Sequence, residues 1–558
     1  MGDERALHGI GVSAGTAVGP LVRLTPPPTA LVDETPGDPA VEGERVSAAL
    51  TRVSDGLLAR AAQADDHAKP ILEATAMIAQ DPGLLSAIEA RLASSGTTTA
   101  VHDAVEEYAS MFAAMGGYFA ERVTDLYDVR DRTIARLLGV PEPGVPEFDV
   151  PSVLTAVDLA PAETATLTPD RVLGIVTEQG GPTSHTAILA AQLGIPAVVQ
   201  TPGIADVPAG TVVALDGGVG EVIVAPTRAQ IDDLDERRRR RAAALGDGTG
   251  AGSTKDGHPV ALLANIGTVA DAEKVGPLDV EGVGLFRTEF MFLDRDDPPG
   301  LAEQTEAYTR VLRAFGDRRV VVRTMDAGAD KPLAFADLGE EENPALGRRG
   351  IRLNVVREDL LDTQLEALAA AWQATGADLR VMAPMIATAS ETAWFVDKAK
   401  GYGLPSVGVM IEVPAAAIRS ADVLAIADFA SLGTNDLGQY TMAADRMQGA
   451  LADLLNPWQP ALLDVIAMAC EGGESAGKKV GVCGESAGNP ALALVLVGLG
   501  VSSLSMAANK VPAVRTALSR HKLIECQKLA RLARAASSAV AARQAVIDNA
   551  DPVLLDLL

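Results

Sequence analysis

The chain has 558 residues, 48% of them apolar and 22% charged, so it can bury several cores and wholesale disorder is excluded. Forty-seven Lys and Arg against 74 Asp and Glu give a net charge of −27. That field repels phosphate backbones and argues against a nucleic-acid binder; a small anionic substrate would need cations gathered locally. Three cysteines (Cys470, Cys483, Cys526) are too few and too scattered for a disulfide framework or a zinc site. No basic segment followed by an apolar one opens the chain. The least charged run, 491–508, contains Ser502, Ser503 and Ser505 and suits buried helix and strand. A soluble, cytoplasmic protein is expected.

In chain order, residues 7–24 (LHGIGVSAGTAVGPLVRL) suit strands and glycine turns, and Pro26, Pro27 and Pro28 form a joint. From 40 to 138 the pattern is helical. Val46, Leu50, Val53 and Leu57 recur at helical spacing, as do Val101, Val105, Tyr108, Phe112, Met115 and Phe119. Each stripe gives its helix one apolar face, the signature of a helical bundle. Pro141-Glu142-Pro143-Gly144 ends it. Residues 151–225 alternate short β-rich runs with helix, an α/β pattern. Residues 232–241 place Asp232, Asp233, Asp235 and Glu236 before five arginines, acid before base along one connecting helix. The glycine-rich run 246–253 marks the main boundary.

Beyond it come eight β-rich runs, 260–266, 282–289, 320–326, 380–386, 408–413, 429–434, 479–484 and 501–506, mostly separated by helical patterns. This is the size and order of a (β/α)8 barrel. The fold class is α/β. The tail from about 520 is helical.

Of six histidines, His185 has a distinctive context, Gly180-Gly181-Pro182-Thr183-Ser184-His185-Thr186-Ala187. The run 172–177 suits a strand and 187–193 a helix, with Thr183 or Ser184 as N-cap. The helix N-terminus favours a neutral, nucleophilic imidazole and would receive negative charge if the ring were phosphorylated. Spacing alone favours an ordinary surface histidine at a cap.

In the second half the strand ends carry unusual polar groups. These are Arg287-Thr288-Glu289, Arg323 with Asp326, Asp330-Lys331, Arg348-Arg349, Glu412, Asn435-Asp436, Arg446 and Cys483-Gly484-Glu485. In a barrel they gather at the C-terminal rim. Converging arginines imply a substrate with several negative charges. Glu412 and Asp436 suit a hard cation such as Mg²⁺, which takes one or two protein carboxylates and completes its shell with water and substrate oxygens. Asn435 can bond substrate oxygens, and Cys483 can give or take a proton at carbon. Each residue alone also fits a structural salt bridge or a core position.

Together the segments GGPTSHTAILA, GVGLFRTEF, VRTMDAGADKP, NPALGRRGIR, GVMIEVPAA, SLGTNDLGQYTMAADR and GVCGESAG resemble Enzyme I of the bacterial phosphotransferase system, the phosphoenolpyruvate–protein phosphotransferases. The likeness covers about residues 7–520 in that family's order. It implies a discontinuous phosphohistidine domain (1–25 and 145–225), a helical insertion that binds the phosphocarrier HPr (30–140) and a linker (226–255). A phosphoenolpyruvate-binding and dimerisation barrel (256–520) and a helical tail (521–558) follow. It implies catalysis by His185 as nucleophile and Cys483 as proton donor. Arg287, Arg323, Arg349, Lys331, Asn435, Asp436 and Arg446 would bind substrate, and Glu412 and Asp436 would hold Mg²⁺. A homodimer is expected. Pro182, Ala191 and Arg348 depart from common family residues. Two other readings compete. One is a dikinase- or synthase-like enzyme lacking its ATP domain. The other is a non-catalytic scaffold that senses phosphoenolpyruvate.

Overall fold

The computed structural model describes the chain apart from residues 1–4, 32–33, 63–67, 116–121, 147, 149, 158–166, 168–169, 181–185, 188–189, 191–192, 246–247, 294, 296, 328–332, 334, 337–338, 340 and 447. Two compact units result, Met1–Asp235 and Glu236–Leu558.

The first unit holds strands β1 (Arg5–His8), β2 (Ile10–Ser13), β3 (Thr16–Arg23), β4 (Ser152–Ala156), β5 (Val172–Thr177), β6 (Ala197–Val199), β7 (Val212–Asp216) and β8 (Glu221–Val224). Their order is β1-β8-β7-β3-β4-β5-β6-β2. β3, β4, β5 and β6 run parallel, and antiparallel pairings complete the sheet.

Between β3 and β4 stand the helices Pro39–Ala61, Ala68–Ala79, Pro82–Leu92, Thr97–Met115 and Val123–Leu138. Two begin with the same device. Asp38 and Asp81 accept the N–H groups of Ala40 (2.9 Å) and Leu84 (2.8 Å), and a proline fills the first helical position. Val46, Leu50, Val53, Leu57, Val101 and Val105 lie in the bundle core, with Tyr108 and Phe112 at its edge. Phe119 lies outside the described residues, as does the side chain of Met115. Gly139, at φ +67°, ends the last helix. Glu142 then takes Arg132 at 3.0 Å and Arg136, pinning the return to the sheet.

The helix Arg228–Leu245 buries only Leu234, as its charge pattern predicts for a connector. The division between the compact units falls inside this helix, upstream of the glycine-rich run. The described part of that run is bonded to the second unit. Gly250 N–H donates to Asp279 (2.9 Å) and Gly252 N–H to Glu281 (2.9 Å), while Arg515 donates to the Gly248 carbonyl (2.8 Å).

The second unit is a closed barrel of eight parallel strands. They are β9 (Ala261–Ile266), β10 (Gly282–Arg287), β11 (Arg319–Arg323), β12 (Leu379–Ala383), β13 (Val407–Ile411), β14 (Ala430–Leu432), β15 (Val480–Val482) and β16 (Ser503–Met506). β16 pairs with β9 to close the ring. All eight expected runs are present, and some end earlier than the β-rich pattern did. Thr288–Met291 is a 3-10 turn, and residues 324–326 are loop.

The pleat sorts side chains into two sets. Val320, Val322, Val381, Val407, Val409 and Ile411 face out and join the helices in the largest core. Leu285, Val321, Met382, Met410 and Cys483 form a separate cluster inside the barrel. The tail helices Leu523–Arg534, Ala539–Ile547 and Val553–Leu557 bring Cys526, Leu529, Ala533, Val546 and Leu557 into the outer core. No helix among the described residues is long and apolar enough to cross a membrane.

Candidate anion and metal site at the barrel mouth

Period-two alternation continues past the inner cluster. Two residues beyond Leu285, Val321 and Met410, toward the C-terminal ends, stand Arg287, Arg323 and Glu412. The interior therefore changes within one layer from packed hydrocarbon to charge.

Arg323 is 6% exposed. It donates to Glu289 at 2.7 Å and pairs with Asp326 at 2.8 Å. Arg349 pairs with the same Asp326 oxygen at 3.2 Å and with Asp436 at 2.9 Å. An alternating belt, Glu289–Arg323–Asp326–Arg349–Asp436, thus crosses the strand ends. Burial opposes both guanidinium charges, yet the surrounding carboxylates more than offset it and hold both arginines above their ordinary value. Arg287 differs. It is half-buried and makes no ion pair or side-chain hydrogen bond among the described residues. Among the described residues of this layer, it is a guanidinium that no carboxylate engages.

Glu412 is fully buried. Its Oε1 accepts the N–H of Met385 at 2.6 Å, and its Oε2 has no hydrogen-bond partner among the described residues. Met385 sits at φ +61°, a strained conformation for a side chain of that size, which turns its N–H onto the carboxylate. A Cβ on Gly433 would overlap Oε2, so glycine keeps that oxygen's space open. Burial first, then Asp436 and Asp326, raise the Glu412 carboxyl above its ordinary value.

A divalent ion suits this arrangement on two grounds. The buried Glu412 Oε2 lacks a hydrogen-bond partner among the described residues, and burial with the nearby Asp436 and Asp326 charges pushes the Glu412 carboxyl up. Among the described residues no group of three or more His, Cys, Asp or Glu could hold a metal. The site fits a hard cation that takes two protein oxygens and leaves its other positions to water and substrate.

Cys483 is 1% exposed and lies in the inner cluster directly below. Burial pushes its thiol up to about 11, with the Glu412 charge adding to the effect and Ser431, Arg323 and Arg287 opposing it. It therefore keeps its proton at neutral pH. Asn265 donates to the Cys483 carbonyl at 3.0 Å. Asn435, half-buried beside Asp436, accepts the N–H of Glu485 at 3.3 Å.

Of the sequence candidates, Arg287, Arg323, Arg349, Glu412, Asp436 and Cys483 are brought together by contact or by electrostatic reach. Arg349 spends its donors on carboxylates, so it orders the acidic groups. Arg446 lies in the turn after the helix Thr434–Met442, its N–H bonded to Gln439 at 3.2 Å. Asp330 and Lys331 lie outside the described residues, as do His185 and both N-cap candidates. After His185, Thr186 and Ala187 are helical and buried. Sequence reasoning left Glu289 and Asp326 without roles, although each closely follows an arginine. It missed Met385, whose contribution is a backbone N–H that leaves no side-chain signal.

Three family profiles match the chain. They are described as the PEP-utilising enzyme PEP-binding domain (residues 246–523), N-terminal domain (8–122) and mobile domain (148–220). A phosphoenolpyruvate-protein phosphotransferase of Streptomyces coelicolor is 50% identical over 97% of this chain and 98% of its own. Proteins of the same name from Haloferax volcanii and Listeria monocytogenes are 39% and 37% identical. They cover 98% and 96% of this chain and 100% and 97% of their own length.

Proposed function

The chain belongs to the phosphoenolpyruvate-protein phosphotransferase family, and from that premise we propose that it moves the phosphoryl group of phosphoenolpyruvate onto its own His185. The group then passes to a histidine of the phosphocarrier HPr, with release of pyruvate, and drives sugar uptake. The observation that carries this is the barrel mouth, where, among the described residues, Arg287 has no ion-pair partner and the buried Glu412 Oε2 has no hydrogen-bond partner.

In this mechanism the substrate phosphate sits against Arg287 and Arg323, with Asn435 and Arg446 closing on it. Glu412 and Asp436 would hold Mg²⁺, which would supply positive charge to offset that on substrate oxygens. The need for it follows from the charges. Asp436 and Asp326 both push the buried Glu412 carboxyl up, and a bound cation would relieve that crowding. An imidazole nitrogen of His185 attacks phosphorus, and the bond from phosphorus to the enol oxygen breaks. Guanidinium groups fixed before the reaction stabilise charge spreading over the phosphoryl oxygens. The departing enolate takes the Cys483 proton at carbon and becomes pyruvate.

His185 must visit two partners, which assigns hinge motion to the linker 226–255. Residues 1–25 and 145–225 act as its carrier, 30–140 as the HPr-docking insertion, and 256–520 as the phosphoenolpyruvate-binding and dimerisation barrel. The chain works in the cytoplasm as a homodimer. Incubation with labelled phosphoenolpyruvate and Mg²⁺ tests the proposal. It requires one pyruvate released per acid-labile, base-stable phosphate gained. Phosphoenolpyruvate made from ATP and pyruvate would instead favour a dikinase-like activity.

A further inference from the structure

Behind the charged belt lies a buried amide. Gln364 stands on the helix Glu358–Thr375 outside the barrel and is 1% exposed. Its Nε2 donates to Thr288 Oγ1 at 3.1 Å and to the Tyr308 hydroxyl at 2.9 Å, and its Oε1 accepts the Met325 N–H at 3.0 Å. Thr288 passes the connection on, donating its hydroxyl to the Arg323 carbonyl at 2.8 Å. Tyr308 donates to Gln304 at 3.3 Å. Thr288, Tyr308 and Gln304 are all buried.

The placement of these contacts is informative. Thr288 immediately precedes Glu289 and Met325 immediately precedes Asp326, and those are the two carboxylates that grip Arg323. One side-chain amide therefore fixes both backbone segments that aim the guanidinium, and through Thr288 it also fixes the backbone of Arg323 itself. Buried polar networks of this kind define a geometry only when every member is satisfied. Sites that grip a phosphoryl group tolerate displacements of about 0.5 Å.

We infer that Gln364, with Thr288 as its relay, is a positioning residue for Arg323 and sets the phosphate-binding geometry without touching substrate. This rests on the phosphoryl-transfer proposal above. The competing account is that the amide only holds the barrel together.

Two substitutions at Thr288 separate these accounts. Thr288→Val keeps the side chain's shape and removes the hydroxyl. Thr288→Ser keeps the hydroxyl and removes a methyl group. The measurement is KM for phosphoenolpyruvate in labelling of the full chain with Mg²⁺. The rate of label transfer from the fully loaded chain to HPr is a second readout, since that step makes no demand on Arg323.

The expected result is a KM raised about tenfold or more in Thr288→Val and in Gln364→Leu, with Thr288→Ser within about threefold of wild type; a misplacement near 1 Å can cost as much as a hundredfold. Transfer to HPr stays unchanged in all three. A Thr288→Val chain within about twofold of wild type, or a Thr288→Ser chain as impaired as Thr288→Val, overturns the inference, because packing and not the hydrogen bond would then matter. If Gln364→Leu does not fold, the Thr288 pair decides alone. A wild-type chain that takes no label overturns the phosphoryl-transfer proposal and this inference together. A labelled wild type beside an unimpaired Thr288→Val overturns only the network.

Discussion

Arg349 donates to Asp436 at 2.9 Å and to Asp326 at 3.2 Å, so one buried guanidinium joins the loop after β11 to the helix that follows β14. With Arg323 it completes a belt of alternating charge around the barrel mouth. Removing one member of such a buried pair strands its partner's charge in a poorly solvated place, which is why the belt is a unit.

Arg287 and Arg323 should respond oppositely to truncation. Arg287 has no ion pair to lose among the described residues, so Arg287→Ala is expected to keep stability within about 0.5 kcal/mol while raising KM for phosphoenolpyruvate at least tenfold. Arg323→Ala leaves Glu289 and Asp326 buried without their cation and is expected to cost about 3–5 kcal/mol of stability. Thermal melts beside steady-state kinetics check both. Equal destabilisation by the two variants would refute the division of roles.

Cys483 is protonated at neutral pH because burial holds its thiol up to about 11. Cys483→Ala should still label His185 with phosphate, but pyruvate should appear more slowly, by about a hundredfold if a positioned acid is worth its usual amount. Quenched time courses of label and pyruvate separate the two events. Unchanged pyruvate release would remove the thiol from the mechanism.

Glu412 makes stability depend on pH in a definite sense. Its carboxyl is raised in the folded chain above its ordinary value of 4.5. Between the unfolded and the raised value the folded state holds more protons than the unfolded state. Stability must therefore fall as pH rises through that window, by up to about 1.4 kcal/mol per pH unit. Glu412→Gln cannot titrate. Melts in a chelator from pH 5 to pH 8 should show the variant gaining on wild type as pH rises. Parallel curves would contradict the burial argument.

Much of this site was legible in the sequence, for physical reasons. Arg287, Arg323 and Glu412 stand out because charge at an inward strand position is costly, and the end of a strand is where such charge finds an anion or a metal. The eight β-rich runs read clearly because parallel strands covered on both faces are almost continuously apolar. What was hidden is the support. Gln364 sits among Leu360, Leu361, Leu365 and Leu368 on a helix whose pattern shows an apolar face, and nothing there announces a buried amide. Met385 acts through its backbone alone. Arg349 looks like a cation waiting for substrate, and only the fold brings it onto Asp326 and Asp436.

The central claim is that the mouth of the barrel delivers phosphate to one imidazole. Mass spectrometry of the peptide containing His185, after brief exposure of the full chain to phosphoenolpyruvate with Mg²⁺ and then to HPr, tests it most directly. The account predicts one phosphate on His185 that disappears when HPr is added, and none when Mg²⁺ is chelated or His185 is replaced by alanine. Phosphate on a different residue, or an unmodified His185 while pyruvate accumulates, would contradict it.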